Sequence, residues 1–229
     1  MITAIIFDVD GTLVDSVDLH ADAWRVAFGR FGKNVSFEEV RRQIGKGGDQ
    51  LLPVLLSQQD MEKFGGELDR YRSDLFKRDY LPRVKPFPRV RQLFETIRHE
   101  GKRIALASSA KEDELAAYKK IAAIEDLIDA ETSSDDAEKS KPYPDIFHAA
   151  LSALGDVAPD SVLSVGDTPY DAQAAAQAQL RTIGLLCGGW SAEELRAAGC
   201  FAIYRDAADL LARYNDSPLS GIIKESIIK

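Results

Sequence analysis

Five short β-rich apolar runs, Ala4–Val9, Arg103–Ala107, Ser161–Val165, Thr182–Leu186 and Phe201–Tyr204, are separated by helical patterns. The helical stretches lie near Arg89–Glu100, Glu112–Ile121, Asp145–Leu154, Tyr170–Ala178 and Ala192–Ala198. Apolar strands alternating with amphipathic helices predict an α/β fold: a mainly parallel sheet covered by helices on both faces. Such sheets bind ligands beyond the carboxyl ends of their strands. One region interrupts the alternation. From Ser16 to Leu81 the pattern is helical, with Trp24, Phe28 and Phe31 at helical spacing and further helices expected at Phe37–Ile44, Gln50–Leu56 and Met61–Asp79. Ser16 can N-cap the first of these, with Asp18 in its first turn favoured by the helix dipole. The proline-rich Leu81–Pro88 suits a return to the sheet. The expected organisation is therefore a core of residues 1–15 and 82–229, with residues 16–81 as a small α-helical cap domain over the sheet's carboxyl edge.

At 229 residues the chain can bury a substantial core. Its formal net charge of −8, with no basic block, argues against a nucleic-acid surface. No apolar stretch reaches membrane-spanning length, and the first apolar run stops at Asp8 without a cationic leader, so no membrane partner or signal peptide is expected. The only cysteines, Cys187 and Cys200, lack metal-site spacing and read as free thiols of a reducing compartment. The expected setting is cytoplasmic.

The chemistry concentrates at strand ends. In IIFDVDGTLVDS, Ile5–Ser16, two aspartates follow an apolar strand with only Val9 between them. In an extended chain Asp8 and Asp10 project to the same side. Unit charges about 4 Å apart interact by roughly 4 kcal/mol at an effective dielectric of 20, so an uncompensated pair is costly and a cation between them is the natural remedy. Oxygen ligands without histidine or cysteine favour a hard ion, magnesium above all. Gly11 permits a sharp turn. Ser108 and Ser109 end the second run just before a helix, where hydroxyls and amides form an oxyanion site. Lys141 stands before Pro142 and can hold a phosphate as a point charge, whereas Lys139 reads as a solvated surface lysine. Asp167, after Gly166 at the end of another apolar run, is placed to complete the ion's ligands. Asp171 suits either a helix-start carboxylate or a group orienting a ligand from behind.

In order, Asp8-Val9-Asp10-Gly11-Thr12, Ser108, Lys141 and Gly166-Asp167-Thr168 resemble the four motifs of the haloacid dehalogenase-like superfamily. The resemblance spans nearly the whole chain. The helical insertion after the first motif is similar to the subfamily of phosphoglycolate phosphatase-like enzymes and β-phosphoglucomutase. It implies a Rossmann-like core and a phosphatase with Mg²⁺ held by Asp8, the backbone carbonyl of Asp10, and Asp167. It further implies Asp8 as nucleophile, forming an aspartyl-phosphate, Asp10 as general acid and base, and Ser108 and Lys141 on the phosphoryl oxygens. The second aspartate argues against carbon–halogen cleavage, which needs no acid for an alkoxide.

The cap should choose the substrate, expected to be a small phosphorylated metabolite handled by a monomer or weak homodimer. His20 shares a helix face with Trp24 and Phe31, as a core histidine would, and also suits contact with the substrate or Asp10. Gly45-Lys46-Gly47-Gly48 reads as a flexible loop in which Lys46 offers charge. The mutases resembled here carry an arginine where this chain has Gly48, which favours hydrolysis over a phosphosugar mutase. A phosphate-sensing module that binds without turnover is the alternative of another class, and it has no need of Asp10.

Overall fold

A computed structural model describes residues 1–220. The tail Gly221–Lys229, to which the sequence reading gave no function, lies outside the described residues. The chain opens with β1 (Ala4–Phe7), whose four residues are wholly buried. Burying Ile5, Ile6 and Phe7 contributes about 1.5–3 kcal/mol each. Next come β2 (Val14–Asp15), α1 (Val17–Arg30), α2 (Phe37–Arg41), α3 (Gly48–Leu55), α4 (Gln58–Asp60) and α5 (Gly66–Leu75). Wide π-helical turns at Met61–Gly65 and Phe76–Tyr80 flank α5, so the stretch expected as one helix over Met61–Asp79 is a helix with two widened turns. The return runs through β3 (Lys85–Pro86) into α6 (Val90–His99), β4 (Arg103–Ala107), α7 (Glu112–Ala122), β5 (Ala130–Thr132), α8 (Asp145–Leu154) and β6 (Val162–Gly166). The last elements are α9 (Pro169–Gln177), β7 (Arg181–Leu185), α10 (Ala192–Ala197), β8 (Cys200–Tyr204) and α11 (Ala207–Ala212).

Six strands form one parallel sheet in the order β5-β4-β1-β6-β7-β8. β1 is therefore central, with Phe7 opposite Leu106 on one side and Val165 on the other. Its period-two alternation feeds two cores. Ile5 and Phe7 pack with Phe94, Leu106 and Tyr118, while Ala4 and Ile6 pack with Ala105, Phe147 and Ala174. The sheet has a sixth strand beyond the five apolar runs: β5 is a three-residue edge strand, Ala-Glu-Thr, too short and polar to register as an apolar run.

Between β2 and β3 every element is helical, and a separate cluster of Val17, Trp24, Phe28, Val40, Leu51 and Leu68 holds those helices together. β2 and β3 pair antiparallel, Val14 with Pro86 and Asp15 with Lys85, so the chain leaves and re-enters the sheet region side by side. Ser16 stands at the N-cap of α1 as expected, but its side chain makes no cap bond, because the hydroxyl donates to Asp10 Oδ1 at 2.6 Å. The segment Gly45–Gly47, read from its glycines as flexible, is docked. The Gly47 amide donates to Ser140 Oγ at 2.8 Å, and Gly48 already begins α3.

Candidate active site

β1, β4 and β6 deliver Asp8, Ser108 and Asp167 to one edge of the sheet, because each side chain follows the last residues of a central parallel strand. α9 starts immediately beyond Asp167. Thr168 caps it, receiving the Asp171 amide at 3.1 Å, while Asp171 Oδ2 accepts from the Thr168 amide and hydroxyl at 3.0 and 2.6 Å. Both readings of Asp171 are thus present in its geometry: it starts the helix, and its other oxygen lies 2.8 Å from Lys141 Nζ.

Lys141 is completely buried, unlike its exposed neighbour Lys139. Its ammonium meets Asp8 Oδ1 at 2.5 Å and donates to the Ala107 carbonyl at 2.9 Å. Burial alone would lower the lysine pKa, yet Asp171 and Asp8 hold it above the usual lysine range. The lysine is a permanent cation serving two carboxylates.

Asp8, Asp167 and Asp171 each bring an oxygen within 4.8 Å of the others. Asp167 Oδ1 accepts from Thr12 Oγ1 at 2.7 Å, while its Oδ2 is buried with no hydrogen-bond partner. Two glycines make room for that oxygen. A Cβ on Gly11, whose φ is +82°, would lie 2.4 Å from it, and one on Gly188 would lie 1.7 Å from it. Burial pushes Asp8 up to about 7 although Lys141 pulls it down, and burial with Asp8 and Asp171 nearby drives Asp167 well above the carboxylate range. Three buried acids against one lysine leave a deficit of positive charge, and an orphaned oxygen faces it. The residues fit a hard divalent cation on oxygen ligands.

The two aspartates of the first motif, expected to project to the same side, bond to different side chains: Asp8 to Lys141, and Asp10 to Ser16 and His20. β1 ends at Phe7, and beyond it the two side chains diverge to separate partners while both line one cavity. Asp10 Oδ1 meets Ser16 Oγ and, at 2.9 Å, His20 Nε2, which also lies 2.9 Å from Tyr118 OH. Burial alone would raise the Asp10 pKa, but the charge and hydrogen bond of His20, with Ser16 and Tyr118, hold it below the usual range. His20 is buried and stacked on Phe76 at 3.8 Å, so it is a core residue and an Asp10 partner at once.

The cavity, of about 270 Å³, is closed over by α1, α3 and α5. Ser108 and Ser109 line it, Ser108 accepting from the Ala110 amide at 3.1 Å and Ser109 Oγ buried without a partner. Lys46 also borders it, but its ammonium is engaged by Gln43 Oε1 at 2.7 Å and sits 4.5 Å over the Tyr170 ring. Arg72, Glu114, Asp69, Tyr118 and Ser140 were not singled out from the sequence. Each is one charged or polar residue inside a helix or loop, revealed only by a long-range partner or, for Asp69, by its place on the cavity wall.

The parallel sheet, the helical insertion after the first strand and the aspartates and lysine at one edge define a class of hydrolase. The chain belongs to the haloacid dehalogenase-like hydrolase family, whose model matches residues 5–185. It is similar to a phosphoglycolate phosphatase of Nitrosospira multiformis, 30% identical over 183 residues that cover 77% of this chain and 80% of that relative. A phosphorylated carbohydrates phosphatase of Thermotoga maritima is 26% identical over 203 residues, covering 88% of this chain and 94% of the relative. A hydrolase from Pseudomonas syringae of known structure superposes with a TM-score of 0.85 at 29% identity, covering 93% of this chain and 98% of the other.

Proposed function

We propose that this hydrolase is a magnesium-dependent phosphatase that cleaves a small phosphomonoester through an aspartyl-phosphate on Asp8. The observation that carries the reading is the meeting of Asp8, Lys141 and Asp167 in one buried cluster, with Asp10 and its partners on the same cavity. The phosphatases among its relatives support it.

Asp8, the Asp10 backbone carbonyl and Asp167 would hold the magnesium, which supplies charge neutralisation to the phosphoryl group when bound. Lys141 fixes one oxygen of Asp8, and the other is the nucleophile. It attacks phosphorus as the ester P–O bond breaks, and the departing alkoxide takes a proton from Asp10. The Asp10 carboxyl, held below the usual range by its neighbours, must first gain that proton when the ester binds beside it. A water then attacks the phosphoryl group on Asp8, its proton passing to Asp10, so the P–O bond to Asp8 breaks and phosphate leaves. Ser16 and His20 orient Asp10 for both proton movements. The Ser108 hydroxyl and the Ser109 hydroxyl, which lacks a protein partner, are the donors offered to phosphoryl oxygens. Residues 16–81 act as a cap domain that excludes bulk water when seated and releases product when lifted.

Hydrolysis is favoured over mutase chemistry because Gly48 supplies no charge and the Lys46 ammonium is already engaged. Asp10, held by three neighbours, gives turnover a proton carrier that a binding module would not require. A cytoplasmic setting and a monomer or weak homodimer complete the proposal. Cys187 and Cys200 are unpaired, and among the described residues no helix is long and apolar enough to cross a membrane.

The test is phosphate release from a panel of small phosphomonoesters with magnesium or with chelator. Turnover of at least one ester is expected, falling at least about 100-fold on chelation. A panel wholly inert in magnesium ends the proposal. A second expectation follows from the crowding at Asp167. Gly188→Ala places a methyl where Asp167 Oδ2 sits, so the carboxylate must swing away. Magnesium affinity, read by calorimetry, should fall about 10–100-fold, as for other losses of ligand orientation. Unchanged affinity would remove Asp167 from the ligand set.

A further inference from the structure

The far wall of the cavity holds two opposite charges that do not bond each other. Glu114, on α7, is 2% exposed and lines the cavity. Among the described residues its one ionic neighbour is Arg72 of α5, at 3.9 Å between Oε1 and Nη1, too long for a hydrogen bond. Arg72 lies with its guanidinium carbon 4.6 Å over the Trp24 ring, and its Nε is buried without a partner. Trp24 and Glu114 thus fix the guanidinium while leaving its donors unused. Buried polar groups in proteins are as a rule hydrogen-bonded, and this pair offers an acceptor beside an unpartnered donor on the cavity wall.

The geometry points to a neutral polyhydroxylated leaving group, a sugar or sugar-alcohol monophosphate, with Glu114 and Arg72 as the specificity-determining pair. One hydroxyl donates to the Glu114 carboxylate while its neighbour accepts from Arg72, a pairing that a vicinal diol satisfies and a hydrocarbon chain cannot. A second anion is disfavoured there. Glu114 neutralises Arg72, the Lys46 ammonium is held by Gln43 and Tyr170, and Asp69 adds negative charge to the same cavity. Lys111 also lines the cavity, and its ammonium bonds no described residue. Yet six carboxylates (Asp8, Asp10, Asp49, Asp69, Glu114 and Glu138) outnumber the three cations Lys46, Arg72 and Lys111, so an ester carrying a carboxylate or second phosphate at its far end meets a net negative lining.

This inference rests on the phosphatase reading and deepens it. The experiment measures kcat/KM in magnesium for sorbitol 6-phosphate, hexyl phosphate, phosphoglycolate and fructose 1,6-bisphosphate. The wild-type enzyme should prefer the sorbitol ester over hexyl phosphate by at least about 100-fold, since a site built to bond hydroxyls rejects analogues lacking them. Both esters with a second anionic group should fall below the sorbitol ester. In Glu114→Gln, folded by circular dichroism, the ratio of phosphoglycolate to sorbitol 6-phosphate efficiency should rise at least about 10-fold as Arg72 is released from its counter-charge. Hydrolysis that is fastest on phosphoglycolate, the bisphosphate or hexyl phosphate overturns this inference and leaves the phosphatase reading standing. An unchanged ratio in the folded variant overturns the role of Glu114. Failure to turn over any ester overturns the phosphatase reading itself.

Discussion

Replacing Asp8 by asparagine should lower turnover by at least about 10⁴-fold while leaving the fold intact. The amide is nearly isosteric, so packing around the end of β1 is preserved. Its nitrogen or neutral oxygen cannot attack phosphorus to form an acyl phosphate that water reopens. Stability should not suffer, because Lys141 keeps Asp171 at 2.8 Å and the Ala107 carbonyl at 2.9 Å. One of three mutually repelling buried acids is lost with the substitution. Phosphate release and thermal unfolding of the purified variant read the two halves separately. Normal phosphate release from Asp8→Asn would contradict the nucleophile assignment outright.

Lys141→Ala is expected to damage stability and activity together. The ammonium is the cation shared by Asp8 and Asp171, in a place no water reaches. Removing one member of a buried ion pair typically costs about 3–5 kcal/mol, because the partner charge is stranded rather than merely unpaired. Asp8, already pushed up to about 7 by burial, would take up a proton in place of the lost counter-charge. That protonation blunts its nucleophilicity as well. Lys139→Ala provides the comparison: its side chain is exposed, its ammonium lies over the Tyr143 ring at 4.7 Å, and its loss should change stability by no more than about 0.5 kcal/mol. Denaturant unfolding of both variants decides the matter. Equal midpoints for the two would mean that Lys141 is not the buried counter-ion described.

Lys139 and Lys141 also show where a sequence stops being legible. Two residues apart and chemically identical, they differ only in what the chain brings around them from positions 8, 107 and 171. The rigid setting before Pro142 separated them, and motif order agreed; composition and local periodicity would not. The long, strongly apolar strands were readable because the burial that defines them is written into consecutive residues, as in Ala4–Phe7 and Val162–Gly166. β5 was not, since its place in the sheet comes from pairing with β4 rather than from an apolar run of its own. α11 and the paired strands β2 and β3 escaped for the same reason: short elements hold their shape through tertiary contacts more than local propensity.

The candidate site divides likewise. Acids and lysine at strand ends follow from topology, so Asp8, Asp167 and Lys141 could be anticipated together. Tyr118, which meets His20, and the side chains that shape the far wall could not, because their partners are distant in sequence. Tyr118 is 98 residues from His20 and Ser140 is 91 from Asp49. His20 illustrates the ambiguity, since the sequence left it between a core residue and a contact of the substrate or Asp10, and the fold gives the same ring both a core place and the Asp10 contact. The glycines of Gly45–Gly47 suggested freedom, and instead they permit close approach: a Cβ on Gly47 would lie 2.7 Å from Ser140.

The β2–β3 ribbon carries a last consequence. Since the outgoing and incoming strands are hydrogen-bonded neighbours, the helices between them are tied to the sheet at a single narrow neck, and their seated position is set by side chains alone. The bonds from Gly47 to Ser140, from Arg41 to the Gly188 carbonyl and from Arg42 to Glu194 then act as separate fasteners. Each can be loosened without unravelling the strands that carry the acids. On the proposed function, exchange of substrate and product should then be adjustable by substitutions at Arg41 and Arg42 that leave the chemistry untouched.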